Sequence, residues 1–176
     1  VALVAQTLGH IGGGEAIDCL LGLAQSSQDY ERLHALDALR NANAVLPCSS
    51  LLPGLESLST RKIATELLGD SEDPKAPEYL LAMMEDAMLG VRSSAVRGLA
   101  KIDENSADER SAQTRQSIES RKEKLLPILW ALSGDRDPNV ARLACHLLIY
   151  CPDPRSLEVL LDQEPERWAL EVAIEI

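Results

Sequence analysis

Three stretches of this 176-residue chain place reactive residue types close together. Gly12-Gly13-Gly14 invites a phosphate-loop reading, because bare backbone N–H groups at a helix start cradle oxyanions. No strand precedes it and no Gly-Lys-Ser/Thr follows, so a helix end with a tight turn is the expectation. DRDPN at 135–139 begins like a calcium loop, with oxygen ligands at alternate positions. Its sixth place must be a sharply turning Gly but is Val140, and its twelfth must be a bidentate Glu but is His146. Helix capping by Asp137, ahead of Pro138, is the expectation there. The acids Asp70, Glu72 and Asp73 read as a solvated turn.

The histidines, His10, His34 and His146, fall at different heights of a repeat described below and are separated along it, whereas a metal or acid–base cluster needs them within a few ångströms. Cys145 beside His146 is no nucleophile–base pair, since neighbouring side chains diverge on a helix. Cys19, Cys48, Cys145 and Cys151 have no C-x-x-C spacing, so buried, reduced thiols are expected rather than zinc ligands or a disulfide framework. That points to a reducing, cytoplasmic setting. No catalytic residue, metal ligand or cofactor is expected.

The elements that would position these residues come from composition and periodicity. With 17 Lys+Arg against 28 Asp+Glu the formal charge is −11, which repels phosphate backbones and argues against nucleic acid. No run approaches the length of a membrane span, and no export leader is visible. Phe is absent, so the core is built from Leu, Ala, Val and Ile, which suits close helix packing.

Internal similarity organises the chain. QTLGHIGG, LDALRNAN, TELLGDSE, VRGLAKID and CHLLIYCP each end a helix, and their last strong apolar residues are Leu8, Leu39, Leu68, Leu99 and Leu148. Three steps are nearly equal and the last is longer, which marks a repeat with one insertion. Ala35, Ala64, Ala95 and Ala144 stand four residues before their leucines, small where neighbouring helices must approach closely. Between these helices lies a second apolar set at 16–24, 51–58, 77–84, 125–132 and 156–163. The pattern predicts a lone first helix and then five antiparallel pairs, the last helix covering 165–173, about eleven helices with no strand.

The residues DAMLGVRSSAVRGLAKI at 86–102 resemble a HEAT repeat, with Asp86, Val91 and Arg92 in the motif's places and Pro53 and Pro127 in its first helix. The unit of about 30 residues is shorter than usual HEAT units and is closer to the compact repeats of bilin lyases and many bacterial proteins. The resemblance implies an all-α, right-handed α-solenoid of antiparallel pairs, armadillo-like, spanning 1–176 as one array. It also implies an Asp/Arg pairing that ties successive repeats. Arg32, Arg61 and Arg92 keep the motif's Arg place, whereas Arg142 and Arg167 sit one residue late.

The insertion at 103–124 is polar nearly throughout and reads as a part-helical, exposed excursion. Both ends break into the pattern, so the chain reads as a segment of a longer protein. The expected function is non-catalytic protein binding along the concave face, with affinity from many modest contacts. Residues placed there are His34, Asp37, Lys62, Thr65, Glu66, Ser93, Arg97, Lys101, Arg142 and His146. The acid excess points to a partner with a basic face. Two alternatives remain: an accessory domain of a larger enzyme, such as a bilin-lyase-like chromophore transferase, or an immunity or chaperone-like protein masking a basic partner.

Overall fold

The computed structural model describes residues 1–105 and 109–162. Among these residues the protein is all-α, with eleven helices and no strand. They are α1 (Ala2–Ile11), α2 (Gly14–Ala24), α3 (Asp29–Asn41), α4 (Cys48–Glu56), α5 (Arg61–Asp70), α6 (Ala76–Met83), α7 (Leu89–Asn105), α8 (Glu109–Ser120), α9 (Lys122–Ser133), α10 (Pro138–Leu148) and α11 (Pro154–Asp162). The lone first helix and the successive pairs stand where the periodicity puts them. The last expected helix, at 165–173, and Arg167 lie outside the described residues. Helix α8 lies in the insertion expected to be part-helical, outside the set of paired helices.

The chain forms two compact units, Val1–Leu80 and Leu81–Ile176, with the boundary inside α6. In the first, α2 packs on α3 and α4 on α5, while α1, α3 and α5 pack in succession. In the second, α9 packs on α10 and α10 on α7. The inserted segment therefore leaves α7 and α10 adjacent. We call α2, α4 and α9 A helices and α1, α3, α5, α7 and α10 B helices.

The B helices carry the core in register. Leu39, Leu68, Leu99 and Leu148 are fully buried, and so are Ala35, Ala64, Ala95 and Ala144 four residues before them. Their small size sets the spacing: a Cβ added at Gly54 of α4 would stand only 2.9 Å from the Cβ of Ala64. A helix with a larger residue at either place would be held further out, leaving voids beside the flanking leucines. Pro53 and Pro127 each occupy the sixth position of their helices, α4 and α9.

Turns and caps hold the pairs. Gly12 and Gly13 have φ of 63° and 83°, a conformation that side chains disfavour, and Gly12 N–H donates to the Leu8 carbonyl at 3.0 Å. The glycine run is a helix end and turn, as expected. Asp137 caps α10 by accepting from Asn139 N–H at 2.9 Å, and Asp153 accepts from Arg155 N–H at 2.9 Å ahead of α11. Asp29 is the first residue of α3 rather than its cap. Its carboxylate instead accepts from Arg32 at 2.8 Å and from Ser57 and Ser59 at 2.8 and 3.1 Å.

The arginines of the repeat bind within their own pair. Arg32 donates to the Ser26 carbonyl at 2.6 Å, Arg61 to those of Leu55 and Glu56 at 2.6 and 3.0 Å, and Arg92 to those of Asp86 and Ala87 at 2.8 and 3.0 Å. Each guanidinium thus reaches back five or six residues and satisfies carbonyls left over where the chain leaves the preceding helix. Arg142, one residue late, points outward and is exposed. In the first unit Asp29, through Ser57 and Ser59, is one of the ties from one pair to the next.

Among its described residues the insertion is helical and mostly exposed, as expected, with two positions that depart from this. Thr114 and Ile118, four residues apart on α8, are buried, and the Ile118 carbonyl lies 3.9 Å from the Cys151 sulfur. One isoleucine and one threonine methyl at helical spacing suffice to seat α8 against its neighbours, α7 and α9.

Candidate binding face

In the first unit the outward side of α1, α3 and α5 is a polar strip. Between α1 and α3 it sinks into an open depression of 460 Å³ lined by Ala2, Gln6, Gly9, His10, His34, Asp37, Ala38 and Asn41. The floor is made by close backbone approach: a Cβ on Gly9 would stand 3.0 Å from the Ala38 carbonyl oxygen and 3.2 Å from its Cβ. Polar side chains rise around that floor. His10 Nδ1 donates to the Gln6 carbonyl at 2.7 Å, which directs Nε2 away from its own helix. His34 meets Tyr30 edge to face, ring centroids 4.4 Å apart.

Asp37 leads from this depression to α5. Arg40 donates to Asp37 at 2.5 Å and to Glu66 at 2.8 Å, and Lys62 lies 3.8 Å from Glu66. The Glu66 carboxylate holds the Arg40 guanidinium above its ordinary pKa. The result is a ladder of alternating charge across two adjacent B helices. It fixes the rotamers of long side chains before anything binds, lowering the ordering cost of association.

Of the ten residues expected on the face, five lie in this unit and four of them stand on its surface: His34, Asp37, Lys62 and Glu66. Thr65 is fully buried, its hydroxyl donating to the Arg61 carbonyl at 2.8 Å, so it presents no surface to a partner. In the second unit Arg97, Lys101 and Arg142 are exposed and His146 is half-buried. Ser93 is buried there. Arg97 is paired with Asp137, bracing α7 against the cap of α10. His146 meets Tyr150 edge to face at 5.9 Å, and Arg115 of α8 stacks over the same ring at 5.3 Å.

Sequence reasoning missed Arg40, Asn41 and Arg115. Arg40 and Asn41 stand three and four residues after Asp37, a spacing that was available as a signal. Arg115 had none, because its ring partner is supplied by the chain after α10.

No group of three or more His, Cys, Asp or Glu side chains able to hold a metal occurs among the described residues. The thiols of Cys145 and Cys151 are pushed up to about 12 and about 11 by burial. Both sit in the core, and neither pKa suits a nucleophile at neutral pH. Among the described residues no helix is long and apolar enough to cross a membrane.

No family model matches the sequence, and no curated protein is similar to it. Solved structures do share its fold. One is the crystal structure of an engineered protein from the Northeast Structural Genomics Consortium, 20% identical, with a TM-score of 0.66 over 97% of this chain and 86% of that one. A second engineered protein from the same consortium, also 20% identical, gives 0.64 over 97% of this chain and 52% of its own length.

Proposed function

We propose that the protein is a non-catalytic interaction module of HEAT-like repeats, binding another protein along the polar face of its B helices. The observation that supports this most is the depression between α1 and α3, continued by the Asp37–Arg40–Glu66–Lys62 ladder. Small residues open its floor, and amide, imidazole and carboxylate groups ring it. Such a surface offers many modest polar contacts in a row, which suits an extended polypeptide segment. The net charge of −11 steers basic partners toward it, and locally Asp37 is the acid at the depression's rim.

The test is affinity capture with the intact protein, comparing wild type with Asp37→Lys and with His34→Ala/Asn41→Ala. Partners retained by the wild type are expected to be basic, to elute with moderate salt and to be lost from both variants. Retention of the same partners by both variants, with folding verified by circular dichroism, overturns the reading. The face of the second unit gets its own arm: reversal of Arg97, Lys101 and Arg142 to glutamate reports whether that face contributes.

A further inference from the structure

The solvent side of the B helices changes its charge between the two units. Residues two places before and two places after the repeating leucine stand about 200° round the helix from it, opposite the core. In the first unit those places hold Gln6 and His10 on α1, Asp37 and Asn41 on α3, and Glu66 and Asp70 on α5. In the second they hold Arg97 and Lys101 on α7, then His146 on α10 and Tyr150 just beyond its end. None of these residues is buried. The places on α3 and α5 hold acids and no base, and those of the second unit hold bases and no acid. Two more cations join the second face. Arg142, four residues before His146 and so on the same side of α10, is exposed with no ion pair among the described residues. Arg115 of α8 stacks over the Tyr150 ring, its guanidinium carbon 5.3 Å from the centroid. Asp137 answers one of the four, Arg97. The other basic stretch of this unit, Arg121, Lys122 and Lys124, lines a hollow together with Glu85, Glu119 and Glu123, which balance it. Helix α6 precedes α7 and α11 follows α10, so the face belongs to the interior of the helix succession.

We propose that the outward face of α7 and α10 is a docking surface for an acidic polypeptide segment, opposite in charge to the partner drawn to the first unit. Charge complementarity names this occupant, because a basic face on a chain of net charge −11 favours only a locally bound anion. Guanidinium groups take carboxylates through paired N–H donors, and Lys101 adds a point charge. The half-buried His146 and Tyr150 give the segment ring surface to lie on. A nucleic acid carries charge along its whole length and meets the acid excess of the rest of the chain, whereas a short acidic segment meets this face alone. The surface is separate from the depression between α1 and α3 and does not rest on the reading given to it.

The probe is a short fluorescein-labelled peptide alternating Glu and Gly, followed by anisotropy with the intact protein at low ionic strength. Saturable binding is expected, weakening as salt is added. Arg142→Glu and Lys101→Glu should each weaken it about fivefold, by turning an attraction into a repulsion. Adding Asp18→Lys, at an exposed position of α2, to Arg142→Glu returns the net charge to −11 and should not recover the affinity. Carbodiimide coupling should join the peptide to Lys101 in preference to Lys122 and Lys124. Circular dichroism of every variant should match the wild type, since all three side chains are exposed. Absence of saturable binding, equal affinity for wild type and both reversals, recovery on restoring the net charge, or coupling chiefly at Lys122 or Lys124 overturns the proposal. So does tighter binding of a labelled single-stranded oligonucleotide that the same reversals abolish, since the face would then serve a nucleic acid.

Discussion

One alanine substitution, made at two helical glycines, should move stability in opposite directions. Both Gly22 of α2 and Gly54 of α4 lie inside A helices, where replacing Gly by Ala favours the helix by about 0.5–1 kcal/mol. At Gly22 an added Cβ meets nothing within 4 Å, so the gain stands alone. At Gly54 the same atom would lie 2.8 Å from a Leu36 methyl and 2.9 Å from the Ala64 Cβ. The leucine methyl can rotate aside. The alanine Cβ is fixed to the α5 backbone, so α4 and α5 must separate by a few tenths of an ångström, and contacts along the crossing are loosened. Overpacking of this kind costs about 1–3 kcal/mol, which exceeds the propensity gain and leaves a net loss of about 1–2 kcal/mol. In thermal unfolding, at about 2–4 °C per kcal/mol for a chain this size, Gly54→Ala lowers the midpoint by roughly 2–8 °C. Gly22→Ala raises it by about 1–4 °C. Equal stabilisation by both substitutions would refute the argument that small residues set the helix spacing.

Other expectations are narrower. Arg61→Met removes two charge-assisted bonds to the carbonyls of Leu55 and Glu56 and should cost about 2 kcal/mol in urea unfolding, while Arg142→Met, at an exposed position, should change stability little. Ile118→Ala should cost about 2–4 kcal/mol if α8 is seated by that side chain, against nearly nothing for an exposed excursion. Native protein treated with Ellman's reagent at pH 8 should lose one thiol quickly, Cys19, which is exposed; Cys48, Cys145 and Cys151 are buried and should react only on unfolding. The Asp153 carboxylate is held down to about 2, chiefly by the Arg155 side chain and then by its N–H. Because the folded pKa is the lower one, its contribution is complete above the unfolded value near 4 and is lost as pH falls toward 2. Asp153→Asn should therefore flatten the fall of the urea midpoint with pH over that interval.

The helix succession was legible because a buried leucine with a small residue four places before it repeats at nearly constant steps, and no strand produces that pattern. The helicity of the insertion was legible too, but the packing of α8 was not, since Ile118 is a lone large apolar residue in a polar stretch and its burial depends on what faces it. The arginines were found, and Arg32 does pair with an aspartate, Asp29, but their carbonyl bonds were not legible: a bond to a backbone carbonyl five or six residues back leaves no residue type to read. Thr65 and Ser93 were placed on the surface for their polarity, yet a hydroxyl can satisfy itself on its own helix, as Thr65 does on the Arg61 carbonyl, and then be buried. The depression beside His34 depends on how closely Gly9 approaches Ala38, which is a property of two helices rather than of either sequence.

Site-specific photo-crosslinking tests the proposed binding face most directly. A photoreactive residue at Asn41, on the rim of the depression, and another at Gly22, on the exposed side of an A helix, would be compared in the same extract. The B-helix face predicts a discrete, salt-sensitive adduct from position 41 and none from position 22. The reverse pattern would contradict it.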